Sequence, residues 1–270
     1  MTELTKDQFL KYVQDHRITV NMDNGVYRDF TIKKPNTVSD HYNITTRPNH
    51  LIVTGDRGSY IFHRHHDMLS FFRDTEDYYI NPCYWHEKLK SDNHRGSKEF
   101  SLESVHSILS EHLNEYVQEN DLSSFEKRAA TKAIADLIGL ASDSEEEFYS
   151  RLQSWDEEKA GGLRMTDWWE WDFQDYTTNY LWICYAIVHA IKLYDAHKLD
   201  SRRALFESEI LANLRGDLEL VFDVENQCYA IPNEARKLGV EGAAQDILLH
   251  RIDGAYMGWM KAMEKNNAIN

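Results

Sequence analysis

Residues 26–63 read VYRDFTIKKPNTVSDHYNITTRPNHLIVTGDRGSYIFH, and the period of this stretch decides the fold. Val26 to Ile32, His41 to Thr46, Leu51 to Thr54 and Ser59 to His63 are short runs rich in β-branched and aromatic residues. Turn chemistry separates them at Lys34-Pro35-Asn36, Arg47-Pro48-Asn49 and Gly55-Asp-Arg-Gly58. Consecutive strands joined by short turns predict an antiparallel meander. Upstream, Asp23-Asn-Gly25 joins one more strand, Ile18 to Met22. A capping box at Thr5-Lys-Asp-Gln8, with Phe9, Leu10 and Val13 following at helical spacing, then predicts a helix near residues 5–15.

Downstream of Asp67 the period becomes helical. Met68, Leu69, Phe71 and Phe72 suit a short amphipathic helix, and Tyr84 to Leu89 suits another beyond Asn81-Pro82. Ser101 opens a longer helix through Val117, and Ser123-Ser-Phe-Glu126 is a capping box for a helix towards Leu140. Ser142-Asp-Ser-Glu145 is a further box, for a helix towards Ser154. Asp172 to His197, Ser201 to Leu214 and Ala243 to Met263 complete the helices, with a hairpin expected from Leu218 to Val224 and Cys228 to Ile231. The expected architecture is α+β: a small antiparallel meander near the N-terminus, then a mostly helical portion. The division is placed near Gly96, giving residues 1–96 and 97–270, two parts that can share one core.

The charge is uneven along the chain. Of 270 residues, 45 are acidic and 30 basic, a net of −15 with His neutral. Residues 1–100 carry 14 of each, residues 101–180 carry 18 acids and 6 bases, and residues 181–270 carry 13 and 10. The middle segment therefore holds −12 of the −15. Self-repulsion on this scale opposes folding, so it calls for a solubility or a partner reason. A chain-wide basic footprint for nucleic acid is excluded, and an aromatic share of 12% argues against disorder.

Cys83, Cys184 and Cys228 are few, odd in number and far apart, which predicts reduced thiols and a cytoplasmic setting. The opening residues lack a basic region followed by an apolar one, so no signal peptide is expected. Tyr180 to Ala190 is the most apolar run, too short to span a bilayer, and is expected to be a buried helix.

Motifs for catalysis are sparse. His63 and His65 share a strand face at a spacing zinc accepts, but local spacing supplies no third ligand; His41, His50 and His86 are the only others to weigh. Surface histidines at a strand–helix junction are the plainer reading, and no metal, cofactor or catalytic residue is expected. GxSxG, Walker A, HExxH and GxGxxG are all missing. Gly55 to Gly58 reads as a hairpin turn rather than a phosphate loop, and Cys83, three residues from His86, reads as a small buried thiol. Trp155, Trp168, Trp169, Trp171, Phe173, Tyr176, Tyr180 and Trp182 form a dense aromatic set. Their acidic neighbours disfavour base stacking, and core packing of the Trp182 helix is the plainer reading.

The acidic block is the main functional lead. Asp143, Glu145, Glu146, Glu147, Asp156, Glu157, Glu158, Asp167, Glu170, Asp172 and Asp175 face only Arg151, Lys159 and Arg164 between residues 142 and 175. The clusters 145–147 and 156–158 would lie roughly 15 Å apart on an unbroken helix. Carboxylates in rows can occupy a basic DNA or RNA channel on a partner, with the aromatics as anchors; a solvated helix face is the competing reading.

Several segments carry a resemblance: Phe30-Thr-Ile-Lys-Lys-Pro35, Tyr42 to Thr46, Gly55 to Phe62, Asp67-Met68 with Phe71-Phe72-Arg73, Ile80-Asn-Pro82 with Tyr84-Trp85, Glu87-Lys-Leu89, and Trp182 to Asp195. Together they resemble a family of uncharacterised accessory proteins of temperate bacteriophages and prophages. The histidines at 63–66 lie outside that pattern, and the resemblance carries over no catalytic residue. By analogy of setting and charge it implies a non-enzymatic inhibitor in the host cytoplasm, acting on a host defence protein or ribonucleoprotein complex of CRISPR or restriction type. The acidic balance and the short apolar run add the expectation of no direct nucleic-acid binding and no membrane partner. Two other classes remain open: a metal-dependent or small-molecule enzyme at the His-rich sheet edge, and an oligomeric structural or regulatory phage protein.

Overall fold

A computed structural model describes residues 4–267 apart from 38, 74–76, 93–95 and 217. The chain divides into two compact units: Asn81–Cys184, with the N-terminal end up to Thr5, and Lys6–Ile80 together with Tyr185–Asn270.

The first strands lie in the second of these units. Helix α1 (Lys6–Val13) buries Phe9 and Val13, and β1 (Arg17–Asn24), β2 (Tyr27–Lys33), β3 (Tyr42–Arg47), β4 (His50–Gly55) and β5 (Gly58–His63) follow as an antiparallel meander. Register explains why the alternation was readable. Phe30, Ile44, Val53 and Tyr60 stand opposite one another across four strands, all buried. On the other face, Asn21, Asp29, Thr31, Asn43 and Thr45 share hydrogen bonds of 2.7–2.9 Å. A strand exposing one face to water needs this polar and apolar alternation. Gly55 pairs with Gly58 at the β4–β5 turn, so this segment is a hairpin, as expected. Asp67 then caps α2 (Met68–Phe72), accepting from Leu69 N at 2.9 Å.

The unit Asn81–Cys184 opens with α3 (Pro82–His86). This helix starts two residues before the expected one because Asn81 accepts from Tyr84 N and Pro82 takes the first helical position. The short strands β6 (Leu89–Ser91) and β7 (Lys98–Phe100) precede α4 (Leu102–Glu119), capped by Ser101 as its sequence predicts. Helix α5 (Ser124–Asp143) begins at a complete Ser123/Glu126 capping box. The next box is displaced. Ser142 lies inside α5 and donates to the Ile138 carbonyl, whereas Ser144 is the cap of α6 (Glu145–Gln153). Val105, Leu109, Ile134, Leu137, Phe148 and Phe173 form the core of this unit.

The expected helix from Asp172 to His197 is corrected at both ends. Gln174–Tyr176 forms β8, antiparallel to β7, and α7 runs from Thr178 to Phe206. The separately expected helix from Ser201 begins inside α7 and continues through a π-turn, Glu207–Leu211, into α8 (Ala212–Leu214). The division between the units falls within α7, after Cys184. Past Tyr185, α7 stacks Tyr194 on Phe30 at 4.6 Å between ring centroids, covering the buried face of the meander. The late hairpin is present as β9 (Val221–Asp223) and β10 (Cys228–Ala230), and α9 (Gly239–Asn267) closes the fold. Phe206, Tyr229, Ile252 and Tyr256 pack together there. The architecture is α+β, with the meander near the N-terminus and helices dominating the rest.

Candidate functional site: the acidic segment 143–175

All eleven acids of the predicted surface are exposed. Helix α6 places Glu145, Glu146 and Glu147 in its first turn, behind the Ser144 cap. Carboxylates are favoured there because unpaired N–H groups and the helix dipole leave partial positive charge at an N-terminus. Local electrostatics thus allow three adjacent acids where the mid-helix would resist them.

The two acidic clusters do not lie on one continuous helix. α6 ends at Gln153, Ser154 N reaches back to the carbonyls of Ser150 and Leu152, and Asp156–Glu158 lie in the turns beyond. These turns are fixed from inside. Trp155 Nε1 donates to the Leu163 carbonyl at 2.8 Å, and the Tyr116 hydroxyl donates to the Gly161 carbonyl at 2.9 Å. Gly161 has φ +64, and a Cβ there would stand 2.5 Å from the Glu126 carbonyl, so only glycine fits.

Three of the eleven acids are paired. Asp156 holds Lys159 at 2.7 Å, Glu157 holds Arg164 Nε at 3.2 Å, and Asp172 contacts Lys98. The Lys159 and Lys98 contacts keep Asp156 and Asp172 below the usual carboxylate range. The other eight form no ion pair among the described residues. Exposed pairs of this kind contribute little to stability, and eight of the eleven carboxylates on this segment remain without a counter-charge among the described residues.

The aromatic set divides in two. Trp182 is 4% exposed, so its core packing is observed, and Trp168 and Trp171 lie half-buried against the core of the same unit. Trp169 is 66% exposed, next to Glu170 and two residues from Asp167, and stands edge-on to Trp168.

Other candidates fall differently from expectation. β5 ends at His63, so His65 lies beyond the strand and the two do not share a strand face. His63 packs edge-on to His50, and His65 to Phe71. No group of three or more His, Cys, Asp or Glu suited to a metal ion occurs among the described residues. Cys83 is exposed rather than buried, because it sits on the outer side of a five-residue helix whose inward residue is Trp85. His86 is engaged with the Ser97 hydroxyl at 2.9 Å. Among the described residues no helix is long and apolar enough to cross a membrane.

One feature near the acids escaped the sequence pattern. Phe125, 74% exposed, lines a groove of about 1060 Å³ together with Arg128, Lys132, Arg151 and Lys159. In sequence Phe125 is only the middle of a capping box, and the cations come from separate elements. The chain matches no family model, no curated protein and no solved structure.

Proposed function

We propose that this chain is a non-enzymatic phage accessory protein that inhibits a nucleic-acid-targeting host defence complex, of CRISPR or restriction type, in the host cytoplasm. The acidic segment occupies the basic channel that DNA or RNA would fill. The observation that supports this reading is that all eleven acids from Asp143 to Asp175 are exposed while eight lack an ion pair among the described residues. Uncompensated carboxylates repel one another, so a basic partner relieves a cost the isolated chain bears. Trp169 supplies apolar contact within the charged surface. The resemblance of residues 30–89 and 182–195 to phage accessory proteins supports the setting.

The test is binding of the purified chain to a CRISPR surveillance complex or a restriction enzyme, with and without DNA. DNA and the chain should compete, with affinity falling steeply as salt rises. Charge reversal at Glu145, Glu146, Glu147, Asp156, Glu157 and Glu158 should abolish inhibition. Inhibition that survives this reversal would overturn the mimicry.

A further inference from the structure

Residues 101–180 contain six bases, and four of them line the groove beside α5. Concentrating scarce cations in one groove of an otherwise acidic segment gives that groove a character of its own. Arg128 and Arg151 form no ion pair among the described residues, and Lys132 meets Asp136 only at 3.9 Å with both side chains largely exposed. These charges are available to a partner.

The α5 stripe facing the groove runs Phe125, Arg128, Lys132, Asp136, Gly139, Asp143. Steps of three and four residues keep it on one side of the helix. Its first half is aromatic and basic and its second half small and acidic. A stripe with this polarity is complementary to itself when reversed. Laid antiparallel about a two-fold axis level with residue 134, Lys132 of each copy faces Asp136 of the other. Arg128 then reaches towards the last turn, where Asp143 lies, and Phe125 falls over that same turn. Gly139, which in this register stands opposite residue 129, leaves the stripe open there, since a Cβ on it would meet nothing within 4 Å.

We propose that α5 pairs antiparallel with α5 of a second copy of this chain, forming a two-fold dimer through this stripe. An isologous interface requires one patch to carry both complementary halves, and a helix about 30 Å long with a charge gradient along it does so. This inference does not rest on the inhibitory reading, although Asp143 belongs to both surfaces, and its test uses no defence protein.

Sedimentation velocity across protein concentrations tests it. The chain should show a monomer–dimer equilibrium that weakens about tenfold between roughly 50 mM and 500 mM salt. Lys132→Asp and Asp136→Lys should each be monomeric where the parent chain is dimeric, because each places like charges opposite one another twice. Both positions are exposed, and the circular dichroism of each variant should match that of the parent chain. Mixing the two variants in equal amounts should restore a dimer, since each contact then joins Lys to Asp. A parent chain that stays monomeric, single variants that dimerise as the parent does, or a mixture that stays monomeric would each overturn the proposal.

Discussion

The Tyr78 hydroxyl and His189 Nδ1 are hydrogen-bonded at 2.8 Å, and the other ring nitrogen, Nε2, is buried with no partner among the described residues. Phe9 stands edge-on to the same ring at 5.9 Å. Burial, with a smaller contribution from His16, lowers the His189 pKa to about 4. Unfolded histidine titrates near 6.5, so between these values the unfolded chain binds a proton that the folded chain refuses. The stabilisation is complete above about pH 6.5 and is lost as pH falls towards 4, a difference of about 3 kcal/mol. Urea unfolding at a series of pH values should show this decline, and His189→Phe should flatten it.

Asp67 joins strand to helix. Its two oxygens take both terminal nitrogens of Arg28, at 2.9 and 3.1 Å, and Oδ1 also caps α2. Burial pushes its pKa up, but the Arg28 contact and the cap outweigh that and hold it below the usual carboxylate range. Asp67→Ala leaves a mostly buried guanidinium without its fork and α2 without its cap, and should cost about 3 kcal/mol in chemical denaturation. Because the folded-state pKa is depressed, this contribution is present above the unfolded carboxylate pKa and disappears as pH falls through the folded one.

Gly161→Ala should destabilise the Asn81–Cys184 unit by about 2 kcal/mol or more. The positive φ disfavours any side chain, and the Glu126 carbonyl 2.5 Å from the new Cβ is backbone that cannot swing aside. Thermal unfolding followed by circular dichroism reads the effect directly.

Two tryptophans in the same unit should behave oppositely. Trp182→Ala empties a core site and should cost about 3–5 kcal/mol, whereas Trp169→Ala removes an exposed ring and should change stability by about 0.5 kcal/mol or less. In the binding assay with a defence complex, Trp169→Ala should weaken association by about tenfold or more while folding is unchanged.

The meander was legible because its information is local. Turn residues sit between runs whose alternate members, such as Ile44 and Val53, all face one side. Caps at Ser101 and Ser123 were legible for the same reason, since a serine hydroxyl reaches only three residues ahead. The start of α7 was not. The expected helix reached back to Asp172, yet Gln174–Tyr176 pairs with Lys98–Phe100, a partner strand more than seventy residues away that no local pattern announces. Likewise the box read at Ser142 is displaced by two residues, because α5 continues through Asp143 and leaves Ser144 to cap α6.

The amino-acid order alone determined the α+β class, the strand alternation and the concentration of negative charge in residues 101–180, because periodicity and composition are properties of the chain itself. Only the tertiary structure decided that the acids at 145–147 and 156–158 sit on separate elements, that Trp169 faces solvent while Trp182 does not, and that Arg128, Lys132, Arg151 and Lys159 share one groove. Those outcomes depend on which helix faces meet, and that is settled by packing between segments remote in sequence rather than by any short pattern.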